Sequence, residues 1–95
     1  MKQPTVYILT NKKHGTLYIG VTSNLIQRVW QHKNNIAIGF TQKYKTHQLV
    51  WYECYQDMYS AISREKQLKN WKREWKVSLI EEENSEWDDL YQRLL

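Results

Sequence analysis

The sequence has few cysteines, which could cross-link the chain, and few prolines and glycines, which interrupt helices and strands. Its 95 residues include one cysteine, one proline and three glycines. A single thiol cannot form an internal disulfide, and together with three scattered histidines it fits no zinc-binding spacing. We expect Cys54 to be a buried residue of a strand rather than a nucleophile. The composition therefore excludes a disulfide-stapled scaffold and gives no sign of a zinc domain.

Long hydrophobic runs are also missing. No stretch of about 18 apolar residues occurs, as a membrane-spanning helix would need. The N-terminal MKQPTVYIL lacks the apolar segment of a secretory signal. We therefore expect a soluble, cytoplasmic protein without membrane contact, and we infer no obligate protein partner. The length suits one domain with a modest core.

Acidic residues are scarce in the first 80 positions. That part carries 13 lysines and arginines against four acids, a net charge of +9, whereas the last 15 residues have a net charge of −5. A basic body favours a polyanionic partner, most often nucleic acid, although solubility alone also explains many basic surfaces. We expect a domain over residues 1–83 and an acidic tail over 84–95. The spacing of Trp87, Leu90 and Leu94 predicts that this tail packs on the domain.

Three runs of strand-forming residues stand out. TVYILTN (5–11) and TLYIGV (16–21) predict a β-hairpin in which Gly15 supplies a permissive backbone angle. With a four-residue loop, Thr10 would pair with Gly15 and Tyr7 would lie opposite Tyr18, so both tyrosines would share one face. HQLVWYECY (47–55) predicts a third strand, and we expect a loop with no more than a turn over 34–46.

Helical periodicity follows the hairpin and the third strand. Thr22, Ser23 and Asn24 are N-cap candidates for LIQRVWQHK, where Leu25, Ile26 and Val29 would form the apolar stripe. Asp57 is the expected cap of a helix through MYSAISREKQLKNW. A further helical segment, NWKREWKVSLI, places two tryptophans one turn apart.

Three polar residues lie beside or within the apolar stripes of these helices. Glu65 falls among Ala61 and Leu68, where a carboxylate costs several kcal/mol unless it is paired or binds a metal. A salt bridge with Lys69, a different helix phase and a divalent-cation site all remain open. Arg28 is either a surface residue or a phosphate clamp, and His32 either packs or exchanges protons.

Taken together, these residues resemble the GIY-YIG nuclease family. The two tripeptides that name the family are matched by Thr5-Val6-Tyr7 and Tyr18-Ile19-Gly20. R-x-x-x-H follows as Arg28 and His32, and AISREKQLK follows at 61–69. The similarity covers about residues 4–80 and is greatest to small, stand-alone bacterial members of endonuclease type.

The resemblance implies both a fold and a reaction. The fold would be α+β, a three-stranded antiparallel sheet flanked by helices. The reaction would be metal-dependent hydrolysis of phosphodiester bonds in nucleic acid, with DNA as the expected form. Arg28 would stabilise the scissile phosphate, His32 would assist Tyr7 or Tyr18 in activating water, and Glu65 would hold a single Mg²⁺ or Mn²⁺. A tyrosine with a pKa near 10 would need a cation or His32 nearby to favour its phenolate.

Other positions and other functions stay open. Many family members carry an asparagine after the glutamate helix, and Asn70 and Asn84 are unassigned candidates for it. Rival functions are a nucleic-acid-binding module of the same fold that cleaves weakly or not at all and a protein-interaction adaptor with a tryptophan-rich surface. The cations expected to contact nucleic acid are Lys12, Lys13, Lys43, Lys69, Lys72 and Arg73.

Overall fold

A computed structural model describes residues 2–36 and 43–95 of the chain. Three antiparallel strands form one sheet in the order β2-β1-β3. The strands are β1 (Thr5–Thr10), β2 (Leu17–Thr22) and β3 (Gln48–Cys54), and the helices among the described residues are α1 (Leu25–Lys33), α2 (Met58–Lys69), α3 (Arg73–Glu83) and the short α4 (Tyr91–Leu94). The α+β fold expected from the sequence is confirmed.

The β1–β2 hairpin has a different register from the predicted one. Thr10 pairs with Leu17, so Tyr7 lies opposite Gly20 rather than opposite Tyr18. The loop is longer because the Asn11 side chain closes it by accepting a hydrogen bond from the Thr16 backbone N–H at 2.9 Å. The register moves by two residues, and strand side chains alternate with a period of two. Both tyrosines therefore still share one face.

Gly15 has a different role from the one predicted. The left-handed backbone angle belongs to His14, whose φ is 59°. A Cβ at Gly15 would lie 2.0 Å from the Asn11 Oδ1 and 2.9 Å from the Lys12 carbonyl oxygen. The loop therefore needs glycine for space, and the prediction of a permissive angle at this position is wrong.

The central strand β1 is buried along its whole length and divides the core into two clusters. Alternate residues point to opposite faces, and a bulge where β1 pairs with β3 puts both Val50 and Trp51 on one of them. We call the faces the helix-pair face and the site face. The first contains Val6, Ile8, Ile19, Val50, Trp51, Ala61, Leu68, Ile80 and Trp87, and the second contains Tyr7, Leu9, Leu25, Val29, Leu49 and Leu90.

Helix α1 covers the site face and begins at the predicted residue. The Asn24 side chain caps it by accepting a hydrogen bond from the Gln27 N–H at 3.2 Å. Leu25, Val29 and His32 are its buried residues, whereas Ile26 is exposed. The prediction of Ile26 in the apolar stripe is therefore wrong, because the helix turns His32 toward the sheet instead.

Helices α2 and α3 cover the opposite face. Asp57 caps α2 as predicted, accepting a hydrogen bond from the Ser60 N–H at 2.7 Å. Ala61 and Leu68 are buried against the sheet. Helix α3 begins three residues later than expected, at Arg73, and continues to Glu83.

The segment after α3 contacts both faces of the sheet. Trp87 is 3% exposed within the helix-pair cluster and Leu90 is 9% exposed within the site cluster. The Leu90 N–H donates to the Leu49 carbonyl at 2.7 Å, and the Leu49 N–H donates to Asp89 Oδ1 at 3.1 Å. Asp89 also pairs with Lys33 at the end of α1. Residues 84–95 thus bridge α1 and β3.

The expectations for Cys54 and for the loop over 34–46 have different outcomes. Cys54 is exposed, not buried, because it lies at the end of β3. The loop expected over 34–46 falls partly outside the described residues, and a helical turn includes Lys43 and Tyr44 where the description resumes. Among the helices of the described ranges, none has the length and apolarity needed to cross a bilayer.

Candidate active site

Two tyrosines and a histidine meet on the site face. The Tyr7 hydroxyl lies 3.1 Å from His32 Nε2, within hydrogen-bond distance. The ring centroids are 6.2 Å apart for Tyr7 and Tyr18, 5.9 Å for Tyr7 and His32, and 5.4 Å for Tyr18 and His32. Strands β1 and β2 and helix α1 each supply one ring, so the geometry of this cluster depends on the packing of all three.

A glycine makes room for this cluster. Gly20 lies directly opposite Tyr7 in the hairpin. A Cβ at this position would lie 2.5 Å from the Tyr7 hydroxyl oxygen and 3.0 Å from the Tyr18 ring. The Tyr7 side chain therefore crosses the glycine backbone to reach His32, and no larger residue fits while it does so.

Burial sets the protonation state of Tyr7. Its side chain is inaccessible to solvent. Burial, followed by the neighbouring Tyr18, raises the pKa of Tyr7 above its usual value of 10.0, and the charge and hydrogen bonding of Arg28 only partly oppose this rise. Arg28 is thus the nearby cation that a reactive tyrosine was expected to need, but desolvation outweighs it. Tyr7 keeps its proton at neutral pH.

His32 is held in its neutral form for related reasons. Burial, followed by the positive charges of Arg28 and His47, lowers the pKa of His32 from 6.5 to about 4. A neutral imidazole has one ring nitrogen free to accept a hydrogen bond. In the tautomer with Nε2 unprotonated, Tyr7 donates its hydroxyl proton to His32.

Arg28 belongs to this group by its electrostatic effects. It lies one turn before His32 on α1 and is half-buried. Its hydrogen bond and charge act on Tyr7, and its charge acts on His32. The structure therefore brings together four of the five residues predicted for the reaction, and their roles stay predictions.

Glu65 has a different setting from the other four. It lies on α2, which packs on the opposite face of the sheet from α1. Its side chain is 15% exposed, and Lys69 Nζ lies 3.4 Å away, one helical turn on. The expected carboxylate on the inward side of the helix is confirmed, together with the Lys69 salt bridge. The role expected for Glu65 together with these four residues stays a prediction.

The described residues contain no group of three or more histidine, cysteine, aspartate or glutamate side chains close enough to hold a metal. Mg²⁺ is commonly bound by one or two carboxylates, with water and substrate phosphate filling the other positions. A single half-buried glutamate is compatible with that mode of binding. It does not fit a closed, all-protein cage.

The cations expected to contact nucleic acid have varied surroundings. Lys12 is exposed in the hairpin loop, and Lys13 Nζ beside it lies 3.9 Å from Glu86. Lys43 lies over the Tyr44 ring at 5.4 Å. Lys69 pairs with Glu65, and Lys72 lies near Trp75.

Arg73 has a structural function in addition to any contact with a ligand. Its guanidinium donates to the carbonyls of His14 and Gly15, at 2.8 and 2.6 Å. It thereby ties α3 to the hairpin loop.

The two candidate asparagines each follow a helix. Asn70 bonds to the end of α2, and Asn84 bonds to β3 and to the segment after α3. Asn84 is buried, donates to the Val50 and Asp88 carbonyls at 3.1 and 2.9 Å, and accepts from the Asp88 N–H at 3.0 Å. Asn70 donates to the Lys66 carbonyl at 3.0 Å. Asn84 thus fixes the start of the tail against β3.

Sequence reasoning missed His47. It lies close enough to His32 to lower the pKa of that residue, and its Nε2 is buried with no hydrogen-bond partner among the described residues. No local pattern distinguishes it, because it precedes β3 by one residue and meets α1 only through the tertiary fold.

Comparison with known proteins identifies a family for this chain. The model of the GIY-YIG catalytic domain matches residues 3–78. The chain is 36% identical over 67 residues to a UPF0213 protein of Haloquadratum walsbyi, covering 70% of this chain and 75% of that protein. It is 36% identical over 75 residues to a UPF0213 protein of Clostridium perfringens, covering 79% and 80%. With a UPF0213 protein of Staphylococcus saprophyticus the identity is 30% over 82 residues, covering 86% and 99%.

A solved structure is similar in fold. The solution NMR structure of a UPF0213 protein from Bacillus halodurans has a TM-score of 0.57 and 23% sequence identity, covering 92% of each chain. The family model spans both tripeptide strands, α1 with Arg28 and His32, and all of α2. Because that match extends over most of the chain and coincides with the elements that carry the site, this chain belongs to the GIY-YIG family.

Proposed function

We propose that this protein is a metal-dependent endonuclease that hydrolyses phosphodiester bonds in nucleic acid, with DNA as its substrate. The observation that carries the proposal is the hydrogen bond between the buried Tyr7 hydroxyl and neutral His32, with Arg28 beside both. Membership of the GIY-YIG family supports nuclease-type chemistry. The opposite face of the same sheet is equally buried and is filled by aliphatic and indole side chains without such a polar cluster.

The proton pathway follows from the two pKa shifts. Attack by water on phosphorus requires a group that accepts a proton from that water. Because Tyr7 is inaccessible to solvent, the partly exposed Tyr18 hydroxyl accepts this proton and passes its own to Tyr7, to which it is hydrogen-bonded. Tyr7 in turn gives its proton to His32 Nε2. This relay requires no free phenolate, which burial of Tyr7 makes costly, and it ends with the proton on an imidazole that was neutral at the start.

Arg28 stabilises the phosphate as negative charge develops on its oxygens. The planar guanidinium donates several hydrogen bonds in a fixed geometry that matches phosphate. Its charge acts on both Tyr7 and His32, which supports binding of the scissile phosphate at the edge of the tyrosine cluster. A fixed cation of this kind is worth most where water is excluded.

Glu65 is the proposed metal ligand. The flanks of α2 support this role. Arg64 Nε donates to Glu53 on β3 at 3.2 Å, so that flank of the helix faces β3. Successive helical residues are about 100° apart. Glu65 therefore lies on the other flank of α2, toward β2, the strand that carries Tyr18. When bound there, Mg²⁺ or Mn²⁺ would neutralise charge on the phosphate and the leaving oxygen. Lys69 then needs to release the carboxylate.

The test is a cleavage assay over linear and branched DNA and RNA with Mg²⁺ or Mn²⁺. We expect the wild-type protein to cleave with either metal and to stop when a chelator removes it. Glu65→Gln should abolish metal-dependent cleavage and leave the melting temperature unchanged or slightly higher, because the change removes a charge from the edge of the core. Glu53→Gln is a matched control, since it alters the carboxylate on the other flank of α2.

Two results would reject this assignment. Unchanged cleavage by the Glu65→Gln variant would remove the metal role from that residue. A wild-type protein that binds nucleic acid in a salt-dependent way but cleaves nothing across the panel would instead be a binding module built on the same fold.

A further inference from the structure

Two tryptophans and two cations form a continuous surface where α2 meets α3. Arg64 lies over the Trp71 ring, 5.1 Å from its guanidinium carbon to the ring centroid. Trp71 contacts Trp75 edge to face, with centroids 6.0 Å apart, and Lys72 Nζ lies 5.8 Å from the Trp75 ring centroid. We call Arg64, Trp71, Lys72 and Trp75 the tryptophan patch.

The patch is more exposed than the fold requires. Trp75 is 51% exposed, whereas Trp71 is half-buried against the helix-pair cluster. Trp71 thus anchors the patch while Trp75 presents an indole to solvent. A large exposed aromatic ring held in place by a packed neighbour is typical of a binding surface.

The charge around the patch limits what it can bind. Residues 64–76 contain six lysines and arginines against two glutamates. One of those glutamates, Glu65, forms a salt bridge with Lys69. The cations outnumber the acids, so the region carries a net positive charge. An acidic polymer complements such a surface, and exposed indoles add a preference for flat, unpaired rings.

We propose that the tryptophan patch binds single-stranded nucleic acid, with one unpaired base stacked on Trp75 and adjoining phosphates on Lys72. This inference deepens the proposed function, because it assigns an unpaired segment to the substrate. Lys72 has a flexible side chain and leaves the indole when a base stacks there, so that its ammonium turns to the backbone. Bases within a duplex are already stacked on their neighbours and cannot use the ring in this way.

The patch is connected to the candidate active site through the hairpin. Arg73 is the first residue of α3 and lies between Lys72 and Trp75 in the sequence. It donates to the carbonyls of His14 and Gly15. Tyr18 follows that loop on β2. The patch is therefore fixed relative to the loop that precedes the tyrosine cluster.

The experiment measures binding without cleavage, in the absence of divalent metal. An oligothymidylate of about 12 nucleotides and a duplex of equal length are titrated against wild type, Trp75→Ala, Trp75→Phe and Trp30→Ala. Trp30 is 48% exposed on α1, and the cation contacts described for residues 2–36 and 43–95 do not involve its ring. It is a matched exposed tryptophan outside the patch.

Trp75→Ala should weaken oligothymidylate binding between about fivefold and 150-fold and leave duplex binding unchanged. Trp75→Phe should keep most of the affinity, because a ring remains. Lys72→Gln should lower the dependence of log affinity on log salt by about 0.7, whereas Trp75→Ala should leave that dependence unchanged.

Three outcomes would overturn the proposal. One is wild-type affinity for the oligothymidylate in Trp75→Ala, and another is an equal loss for Trp30→Ala. The third is an equal loss for duplex and single strand, which would give Trp75 a structural role. If cleavage of duplex DNA persists alongside any of these, the proposed function stands and the patch alone is wrong. Absence of all nucleic-acid binding by wild type would reject both and favour a protein partner for the patch.

Discussion

The two faces of the sheet are equally buried but chemically different. Ile8 on the helix-pair face and Tyr7 on the site face are both inaccessible to solvent. The first face is filled by aliphatic and indole side chains, whereas the second contains a phenol and an imidazole joined by a hydrogen bond. The comparison shows that the candidate reactive groups lie within the core. The burial that stabilises the fold also shifts their pKa values.

The largest effect should come from removing one hydroxyl on the site face. Tyr7→Phe keeps the ring and its packing but breaks the proton pathway to His32. We expect kcat to fall by about 10²–10⁴, while stability falls by about 1 kcal/mol for the lost hydrogen bond. Tyr52→Phe is the matched control, because Tyr52 pairs with Tyr7 across β1 and β3 on the same face. Equal cleavage by the two variants would contradict the pathway.

Arg28→Lys keeps the charge but loses the planar donor geometry. We expect the rate of the chemical step to fall by roughly 10² or more, as for loss of one transition-state donor. Single-turnover kinetics at saturating enzyme separate this step from binding. A variant that binds more weakly but turns over bound substrate normally would make Arg28 a positioning residue.

The pH dependence of stability should distinguish the site face from the rest. The pKa of His32 is about 4 in the folded protein and 6.5 in the unfolded chain. Between these values the unfolded state binds the extra proton, so stability must fall as the pH is lowered from about 6.5 to 4. The contribution is up to roughly 3 kcal/mol. Chemical denaturation at pH 7 and pH 4 measures it.

His32→Gln should lose less stability than wild type over this pH interval, since glutamine does not titrate. Activity should respond in the same direction. With His32 neutral above its pKa, kcat/KM should stay level down to about pH 5 and decline near pH 4. A decline centred near pH 6.5 would show that His32 titrates as a solvent-exposed histidine, in conflict with its burial.

The smallest effect concerns the acidic tail, which joins the two faces. Glu86 lies 3.9 Å from Lys13 in the hairpin loop, and both side chains are largely exposed. Glu86→Gln should strengthen duplex DNA binding at low salt by less than about fivefold, because an exposed pair contributes at most about 1 kcal/mol. Glu82→Gln makes the same change in net charge on an exposed position of α3. An identical gain from both variants would assign the effect to net charge alone.

Local signals account for the elements that were predicted well. Asn24 and Asp57 cap their helices where the sequence places them, because a cap depends on the few residues beside it. The two tyrosines share one face of the sheet as predicted, although the predicted register was wrong. The register differs by two residues, and a shift of two keeps each side chain on its face.

Tertiary contacts explain what the sequence did not reveal. The loop length depends on the Asn11 side chain, and the exposure of Ile26 depends on how α1 meets the sheet. His47 lies near His32 although it is 15 positions later in the sequence, and no local spacing indicates this contact. The helix phase of Glu65 was predictable, whereas the face of the sheet on which α2 packs was not.

The close fit of Gly20 against Tyr7 restricts how this sequence can diverge. A methyl group at position 20 would overlap the Tyr7 hydroxyl, and that buried ring has no free space to move into. Alanine at position 20 is therefore harmful while Tyr7 is present, and it becomes acceptable only after position 7 has lost its ring. The effect of one substitution depends on the other, which is epistasis with a steric origin. A lineage that keeps the hydrogen bond between Tyr7 and His32 must keep both residues, and one that loses the ring at position 7 is released at both positions together.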